Sequence, residues 1–498
     1  MSKRLCLGAL VVIIVISRLP QLHSPLLLLD GDECILGLMA KHVAEGREFP
    51  VFFYGQPYGL ALVEAPAGAL SFLLLGVAAV PLKLAMLAIW TAGVLFYFLA
   101  LARWMPTARA LGVALLLVMM PAWAVSSMKA WSGYITAFSA TGALLYVLAR
   151  DPPGHRPWAI AGGLSAIIYF AHPLWLPGVV PIVLYRLVSA RRPAPAFAYG
   201  CGIGSTTLAV VLLRLAQSTA PPSWSPPVLG NHDLVRSARS VGSQIYTNLT
   251  GSYYLHQSIS AGTLTTVLAN VWLGILAALL FLQIYRIVTK RLLLWSHLLF
   301  LGAIATIAAN WVLLDGRDAR YMLPLNALLV LAAGVELSEA ADRSPAWNTG
   351  GTVFVATMLL FGAGSMNEFG RFSYMWWPAT GRGEEKSLDL VIRDLASTGV
   401  HHVFSMNALL QWQIMFYSRE AVVARWTSDV DRYPRYIEEV NRAMKDGSPT
   451  AIVGYTGFSG GLEHLVTDPG SIIDIDGKYF IYPRPDAGLL RRLRFRVP

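Results

Sequence analysis

Three carboxylates, Asp30, Asp32 and Glu33, stand within four residues directly after the first apolar segment of the chain. Acidic side chains beside a bilayer cost free energy unless they face water or take part in chemistry, so the group is a candidate functional site. A carboxylate in such a place can accept a proton from an attacking hydroxyl or amine. The same residues also suit a helix start. An Asp caps the free amides of a first turn, and Ile35, Leu36, Met39 and Val43 then recur at helical spacing up to Gly46. A cap needs one carboxylate, which leaves the others to be explained.

The polar groups that could join them lie in short stretches between apolar runs. One is Lys129-Ala130-Trp131-Ser132-Gly133-Tyr134. Another is Asp315-Gly316-Arg317-Asp318-Ala319-Arg320-Tyr321, leading into Met322-Leu323-Pro324. A third is Phe52-Phe53-Tyr54-Gly55-Gln56-Pro57-Tyr58-Gly59, followed by Glu64. Arg or Lys can bind a phosphate and stabilise the charge it gains on leaving. Carboxylates and separated cations together suit a reaction between an acceptor and a phosphorylated lipid. Plainer roles compete at each position. Arg317 and Arg320 suit pairing with Asp315 and Asp318, or headgroup contact. Lys83 and Lys129 suit interfacial anchoring, and Tyr54, Tyr58 and Trp131 an aromatic belt. His172, before Pro173 and Trp175, reads as structural or interfacial, and Glu64 as the partner of a nearby base.

The elements that must position these groups are mostly membrane helices. Of 498 residues, 55% are hydrophobic and 14% charged, where soluble domains carry about a quarter charged residues. The composition is that of a polytopic α-helical membrane protein. The formal net charge is +10, from 39 basic and 29 acidic residues. In this class of protein such an excess points to cytoplasmic loops and anionic headgroups, and no nucleic-acid partner is expected. Cys6, Cys34 and Cys201 are far apart and match no disulfide or metal-ligand spacing. Leu5–Ile16, after Lys3 and Arg4, resembles a signal peptide without a small-residue cleavage site before Pro20, and reads as a retained anchor.

Apolar runs of span-like length fall near 5–20, 83–102, 107–124, 134–149, 158–171, 175–190, 196–215, 262–285, 292–312, 321–337 and 350–366. The stretch Leu60–Val80 is ambiguous, and basic residues decide it. If it crosses, Arg103, Arg109, Arg150, Arg156, Arg186, Arg191 and Arg192 all fall outside. If it is a non-spanning, partly buried hairpin, they move inside with Arg286, Lys290 and Arg291. The second topology follows the positive-inside rule and gives about eleven transmembrane helices. It puts the acidic first loop (21–80), 124–133, 217–261 and 313–320 on the outer side. A transmembrane domain is expected over 1–370, with a small extracytoplasmic α/β domain over 371–498. Within the latter, Leu388–Leu395 and Tyr433–Met444 read as helices. His402–Phe404, Ala421–Val423 and Thr450–Tyr455 read as strands. There is no Walker-type loop, no dinucleotide fingerprint after a strand and no metal-spaced Cys or His set. Asn248-Leu249-Thr250 matches the glycosylation triplet, a pattern common by chance.

The first loop resembles that of the GT-C glycosyltransferases, in the branch of the protein O-mannosyltransferases and lipid A aminoarabinose transferases (glycosyltransferase family 39 and its bacterial relatives). The residues that carry the resemblance are Asp32-Glu33, Gly37-Leu38-Met39-Ala40, Glu45-Gly46 and Pro50, then Phe52–Gly59 with Glu64-Ala65-Pro66. Arg320-Tyr321-Met322-Leu323-Pro324 is similar to the Arg-Tyr-x-x-Pro element that opens a late span in that family. The likeness covers roughly 1–340. It implies Asp32 as catalytic base with Glu33 in support, and Arg320 on the phosphate of a polyprenyl-phosphate-linked sugar. The second-loop acidic residue of several relatives is replaced here by Lys129, Ser132 and Tyr134. The residue that would help bridge a metal is therefore missing, and Lys129 could meet the phosphate instead. No cofactor is expected to be required, with a divalent cation kept as the alternative.

The expectation is an inverting glycosyltransferase of the plasma (inner) membrane that works on its extracytoplasmic side. Its partners would be the bilayer, a polyprenyl-phosphate-linked sugar donor and a glycan, lipid or protein acceptor. Asp30, Gln56, Tyr58, Glu64, Lys83, Lys129, Tyr134, His172, Arg320 and Tyr321 are the candidate substrate-binding residues. The alternative is a transporter or flippase of a lipid-linked saccharide. Against it stand the absence of a visible internal repeat and the gathering of charge at one surface.

Overall fold

In the computed structural model each of the eleven apolar runs is helical over most of its described residues. It describes residues 2–24, 27–150, 154–217, 234–250, 263–291, 294–314, 319–369, 385–427, 432–466 and 468–497. The N-terminal half contains α1 (Lys3–Leu22), α2 (Gly31–Ala44), α3 (Ala61–Leu75), α4 (Ala79–Trp104) and α5 (Thr107–Met119). There follow α6 (Pro121–Ser126), α7 (Tyr134–Leu148), α8 (Arg156–Ala171), α9 (Leu176–Ser189) and α10 (Pro193–Leu215). Next come α11 (Leu234–Thr250), α12 (Thr263–Val288), α13 (Leu294–Leu314), α14 (Leu323–Arg343) and α15 (Pro345–Phe369). Among the described residues, six helical segments are long and apolar enough to cross a bilayer by length and composition alone. This is a multi-pass membrane protein.

The run read over 107–124 is broken in two. Pro121 has no amide to donate and its ring clashes with the preceding turn, so α5 stops at Met119 and α6 starts at the proline. Within the bundle, α4 packs on α7, α7 on α8 and α8 on α10, while α13 lies between α9 and α14. The α14 segment is the most enclosed of the long helices: 89% of its apolar window is buried.

The ambiguous stretch forms α3, which packs along α2 and α4. Glu64 near its start bonds to the 133–136 segment, and Phe72 near its end meets Phe416 of the C-terminal unit at 6.3 Å. Both ends thus touch the face of the bundle that carries that unit. Beyond Phe72, Leu73, Leu74 and Leu75 are exposed.

The C-terminal unit is a five-stranded sheet in the order β2-β1-β3-β5-β4. Its strands are β1 (His402–Ser405), β2 (Val423–Arg425), β3 (Thr450–Tyr455), β4 (Ile473–Ile475) and β5 (Tyr479–Pro483). β1 runs parallel to β2 and β3, and β5 runs antiparallel to β3 and β4. Its helices are α16 (Glu385–Ser397), α17 (Leu410–Tyr417), α18 (Pro434–Lys445) and α19 (Ala487–Arg492). The strand expected at Ala421–Val423 begins later, because Arg419 and Glu420 turn through left-handed conformations after α17. α17 itself was not legible. All but one of its eight residues are buried, so it has no polar face to set a period.

α17 is also where the C-terminal unit grips α2. Leu29, just ahead of α2, donates its amide to the Tyr417 hydroxyl at 3.0 Å. Its carbonyl accepts from Gln413 Nε2 at 2.8 Å. Further along α2, Glu420 draws in three cations. Lys41 Nζ lies 2.5 Å from Oε2, His42 Nε2 lies 3.1 Å from Oε1, and Arg47 closes on the same carboxylate. The Tyr436 hydroxyl donates to Oε1 at 2.6 Å. On its other side His42 meets Glu48 at 3.1 Å and the Tyr54 hydroxyl at 2.6 Å.

Burial opposes charge on both groups, and the partners outweigh it. His42, Arg47 and Lys41 hold Glu420 far below the usual carboxylate range, and Glu420 and Glu48 hold His42 above its ordinary value. Stability from Glu420 is therefore lost as pH falls below the ordinary 4.5, and that from His42 as pH rises above the ordinary 6.5. Protection of this junction against proteolysis should be greatest between those two values and decline on either side. Glu420→Gln should flatten the profile. An unchanged profile in that variant would show that the contact lies elsewhere.

Candidate active site at the head of the acidic helix

The acidic residues at the head of α2 divide between two faces. Asp30 caps the helix, its side chain accepting from the Glu33 amide at 2.9 Å, while Glu33 Oε2 accepts from the Asp30 amide at 3.2 Å. This reciprocal box stabilises a helix start by about 1 kcal/mol. Both carboxylates do more than cap. Lys129 Nζ lies 3.0 Å from Asp30 Oδ2 and 2.9 Å from Glu33 Oε2, and Lys83 pairs with Glu33 Oε1. The Ala130 amide donates to Glu33 at 3.2 Å, and Trp131 Nε1 to Asp30 at 3.0 Å. All four charged side chains are buried. Burial resists charge on Lys129 and Asp30, but their mutual attraction prevails, raising the lysine and lowering the acid.

Lys83 and Lys129 are thus buried among carboxylates, and the Lys129 ammonium is engaged by two of them. Asp30 and Glu33 belong to the same buried cluster.

The 127–134 segment that delivers Lys129 is held at both ends. Arg18 of α1, a residue the sequence reading passed over, donates to Ser127 Oγ and to the Val118 carbonyl, each at 2.9 Å. At the other end Glu64 accepts from the amides of Gly133 and Thr136 at 3.0 Å and from Thr136 Oγ1 at 2.9 Å. Its carboxyl is set on the N-terminus of α7, where burial raises its pKa to about 7, outweighing the amides and the helix dipole that favour its charge. Gly133 adopts φ +90°, and a Cβ there would overlap the Ala171 carbonyl. His172 is buried against the Tyr134 ring at 4.1 Å, with Tyr321 at 6.0 Å and Tyr58 at 6.4 Å. Burial and the charge of Arg320 push its pKa down to about 3, so it is neutral at physiological pH.

Asp32 points away from the buried cluster, into a cavity of about 60 Å³. Phe53, Gln56, Tyr58, Trp131, Tyr134 and Tyr321 line it. Two guanidinium groups face the carboxylate. Arg320 Nη1 is 3.4 Å from Oδ2, and Arg432 Nη2 of the C-terminal unit is 3.4 Å from Oδ1. Arg320 also lies over the Trp131 ring at 5.4 Å, and Arg432 over Phe53 at 5.0 Å.

The backbone under Arg320 is fixed by Asn248, whose side chain donates to the Ala319 carbonyl at 2.9 Å. Asn248 is fully buried, so in this fold it is not a glycosylation acceptor. Arg317 lies outside the described residues. Among the described residues Asp32 is the sole carboxylate lining the cavity, and no three His, Cys, Asp or Glu side chains converge as metal ligands. Among the described lining residues, two guanidiniums stand opposite that carboxylate.

No protein-family model and no curated protein matches the chain. Solved structures do. ArnT from Cupriavidus metallidurans bound to undecaprenyl phosphate aligns with a TM-score of 0.62 at 13% identity, over 97% of this chain and 98% of that one. The same protein in its apo state aligns at 0.59, again with 13% identity over 97% and 98%. The Archaeoglobus fulgidus oligosaccharyltransferase, in complex with Zn and sulfate, aligns at 0.51 with 13% identity, over 92% of this chain and 68% of that one. The chain has the GT-C fold. The resemblance read from the first loop and the Arg320 segment holds for the architecture of nearly the whole chain.

Of the residues singled out in the sequence, this GT-C structure brings Asp32, Gln56, Tyr58, Tyr134, Arg320 and Tyr321 to one cavity. Asp30, Glu33, Lys83 and Lys129 gather behind it, and Glu64 and His172 support its walls. Arg432 was missed: its one available signal, a basic residue in a polar segment, marks many surface positions equally well.

Removing one partner from a buried ion cluster leaves an uncompensated charge and costs about 3–5 kcal/mol. Lys83→Met should lower thermal stability in detergent accordingly, and adding Glu33→Gln should recover much of the loss. Additive losses in the double variant would refute charge compensation as the reason these groups coexist.

Proposed function

We propose that this chain is a membrane glycosyltransferase that takes a sugar from a polyprenyl-phosphate donor, with Asp32 as general base. The observation that carries the reading is Asp32 facing Arg320 across one cavity, in the fold of a protein solved with undecaprenyl phosphate. An acceptor hydroxyl or amine gives its proton to Asp32 while its oxygen or nitrogen attacks the anomeric carbon. The bond from that carbon to the phosphate oxygen breaks, and polyprenyl phosphate leaves with the bonding electrons, its new charge stabilised by Arg320. Attack opposite the leaving group inverts the anomeric centre. Tyr58, Tyr134, Tyr321 and Gln56 supply rings and an amide suited to a sugar face. The reaction takes place on the extracytoplasmic side of the plasma (inner) membrane, where a lipid-linked donor needs no nucleotide site.

General bases contribute about 10²–10⁴-fold to rate. Asp32→Asn, reconstituted in liposomes with radiolabelled polyprenyl-phosphate sugar and a cell-envelope extract as acceptor, should lose transfer by that order. Its unfolding temperature and membrane insertion should match wild type. Wild-type turnover in this variant would remove Asp32 from the role. Sugar crossing the bilayer with no transfer in either protein would favour a flippase.

A further inference from the structure

Arg432 comes from the C-terminal unit, yet its guanidinium reaches the cavity of the membrane bundle. Its position is built rather than incidental. The backbone of Gly55, at φ +70°, lies against Arg432 so closely that a Cβ on Gly55 would come within 2.8 Å of the arginine Cα. The next residue, Tyr433, is packed between Tyr54 and Tyr436, each ring 4.7 Å away. Arg432 and Arg320 approach opposite oxygens of the same carboxylate at 3.4 Å each. These separations exceed the roughly 2.7–2.9 Å of a tight charge-assisted bond.

Charge balance says what a second cation achieves here. A polyprenyl-phosphate sugar is a phosphodiester with one negative charge. Among the described lining residues, two arginines and an ionised Asp32 give one net positive charge, which matches the single negative charge of the donor. After transfer Asp32 holds the acceptor's proton and the leaving phosphate is a monoester of up to two negative charges. The two arginines then match it. Counted over the described lining residues, Arg320 alone would leave one negative charge unmatched both before and after the reaction, in a recess where water screens it poorly.

We propose that Arg432 is a second phosphate-binding residue of the donor site, so that the C-terminal unit completes the site at which the lipid phosphate is held. This rests on the donor reading given above. Both guanidiniums lie over the phosphate oxygens, and Asp32 is left to the acceptor proton. A guanidinium fork fits such oxygens with two parallel bonds where an ammonium offers a point charge, which makes Arg432→Lys a partial replacement.

The test uses full-length protein in detergent and two probes, undecaprenyl phosphate and undecaprenol, which differ only in the phosphate. Wild type should prefer the phosphate. A hydrogen-bonded charge contributes enough that Arg432→Gln should weaken undecaprenyl phosphate binding about tenfold or more. Undecaprenol affinity should stay unchanged, a split that a merely structural role would not produce. Arg432→Lys should fall between. Arg435→Gln, a neighbouring arginine that does not line the Asp32 cavity, should behave as wild type. An undiminished phosphate preference in Arg432→Gln, with the preference lost in Arg320→Gln, would overturn the proposal while leaving the donor reading intact. Equal binding of the two probes by wild type would overturn both.

Discussion

Four buried charges, Asp30, Glu33, Lys83 and Lys129, hold the site together, and none is tolerable alone. Taking an ion out of water costs several kcal/mol even after relaxation, so each carboxylate there requires its lysines and each lysine its carboxylates. The four come from the head of α2, from α4 and from the 127–134 segment, and those three elements must therefore meet at one point. Helical geometry does the rest. Asp30 and Glu33, three residues apart, share a face of α2, whereas Asp32, about 100° round from Glu33, faces elsewhere. The charge that binds the elements together and the carboxylate that lines the cavity are thus separated within a single turn.

Trp131 links the two faces. Its indole N–H is spent on Asp30 in the buried cluster, and its ring lies beneath Arg320 in the cavity. A cation over an aromatic face gains about 0.5–2 kcal/mol, more as water is excluded. The ring orientation that keeps Asp30 satisfied therefore also sets where Arg320 can rest. The backbone on the far side of Arg320 is fixed independently by Asn248.

Much of this was legible before any coordinates. The apolar runs gave the helices because membrane helices announce themselves by length and composition. Counting carboxylates against a single cap left groups to be explained; the family resemblance singled out Asp32, which left Asp30 as the natural cap, and Asp30 does cap α2. What stayed hidden were meetings between distant residues. Lys83 sits fifty positions from Glu33, and nothing in an apolar span says which way its one lysine turns. Glu64 capping α7 depends on a left-handed glycine sixty-nine residues later. α17 lacks a period because it is enclosed on nearly all sides, and Arg432 lies in a segment whose polar residues look like any solvated surface. Pattern reports periodicity and local capping, while pairing across the fold is decided by packing.

The C-terminal unit bears on Asp32 in two ways at once, which sets it apart from an appended module. Through Gln413 and Tyr417 it takes both backbone groups of Leu29, the residue immediately before the cap, so it helps fix the register at which α2 begins. Through Arg432 it places a cation opposite the carboxylate that this register presents. A shift of the unit relative to the bundle would disturb the position of Asp32 and the charge facing it in the same step. The Glu420 cluster, which ties Lys41, His42 and Arg47 to the unit further along α2, keeps the two effects in line. The geometry around Asp32 is thus a property of the membrane bundle and the C-terminal unit together, and α2 is the element through which each constrains the other.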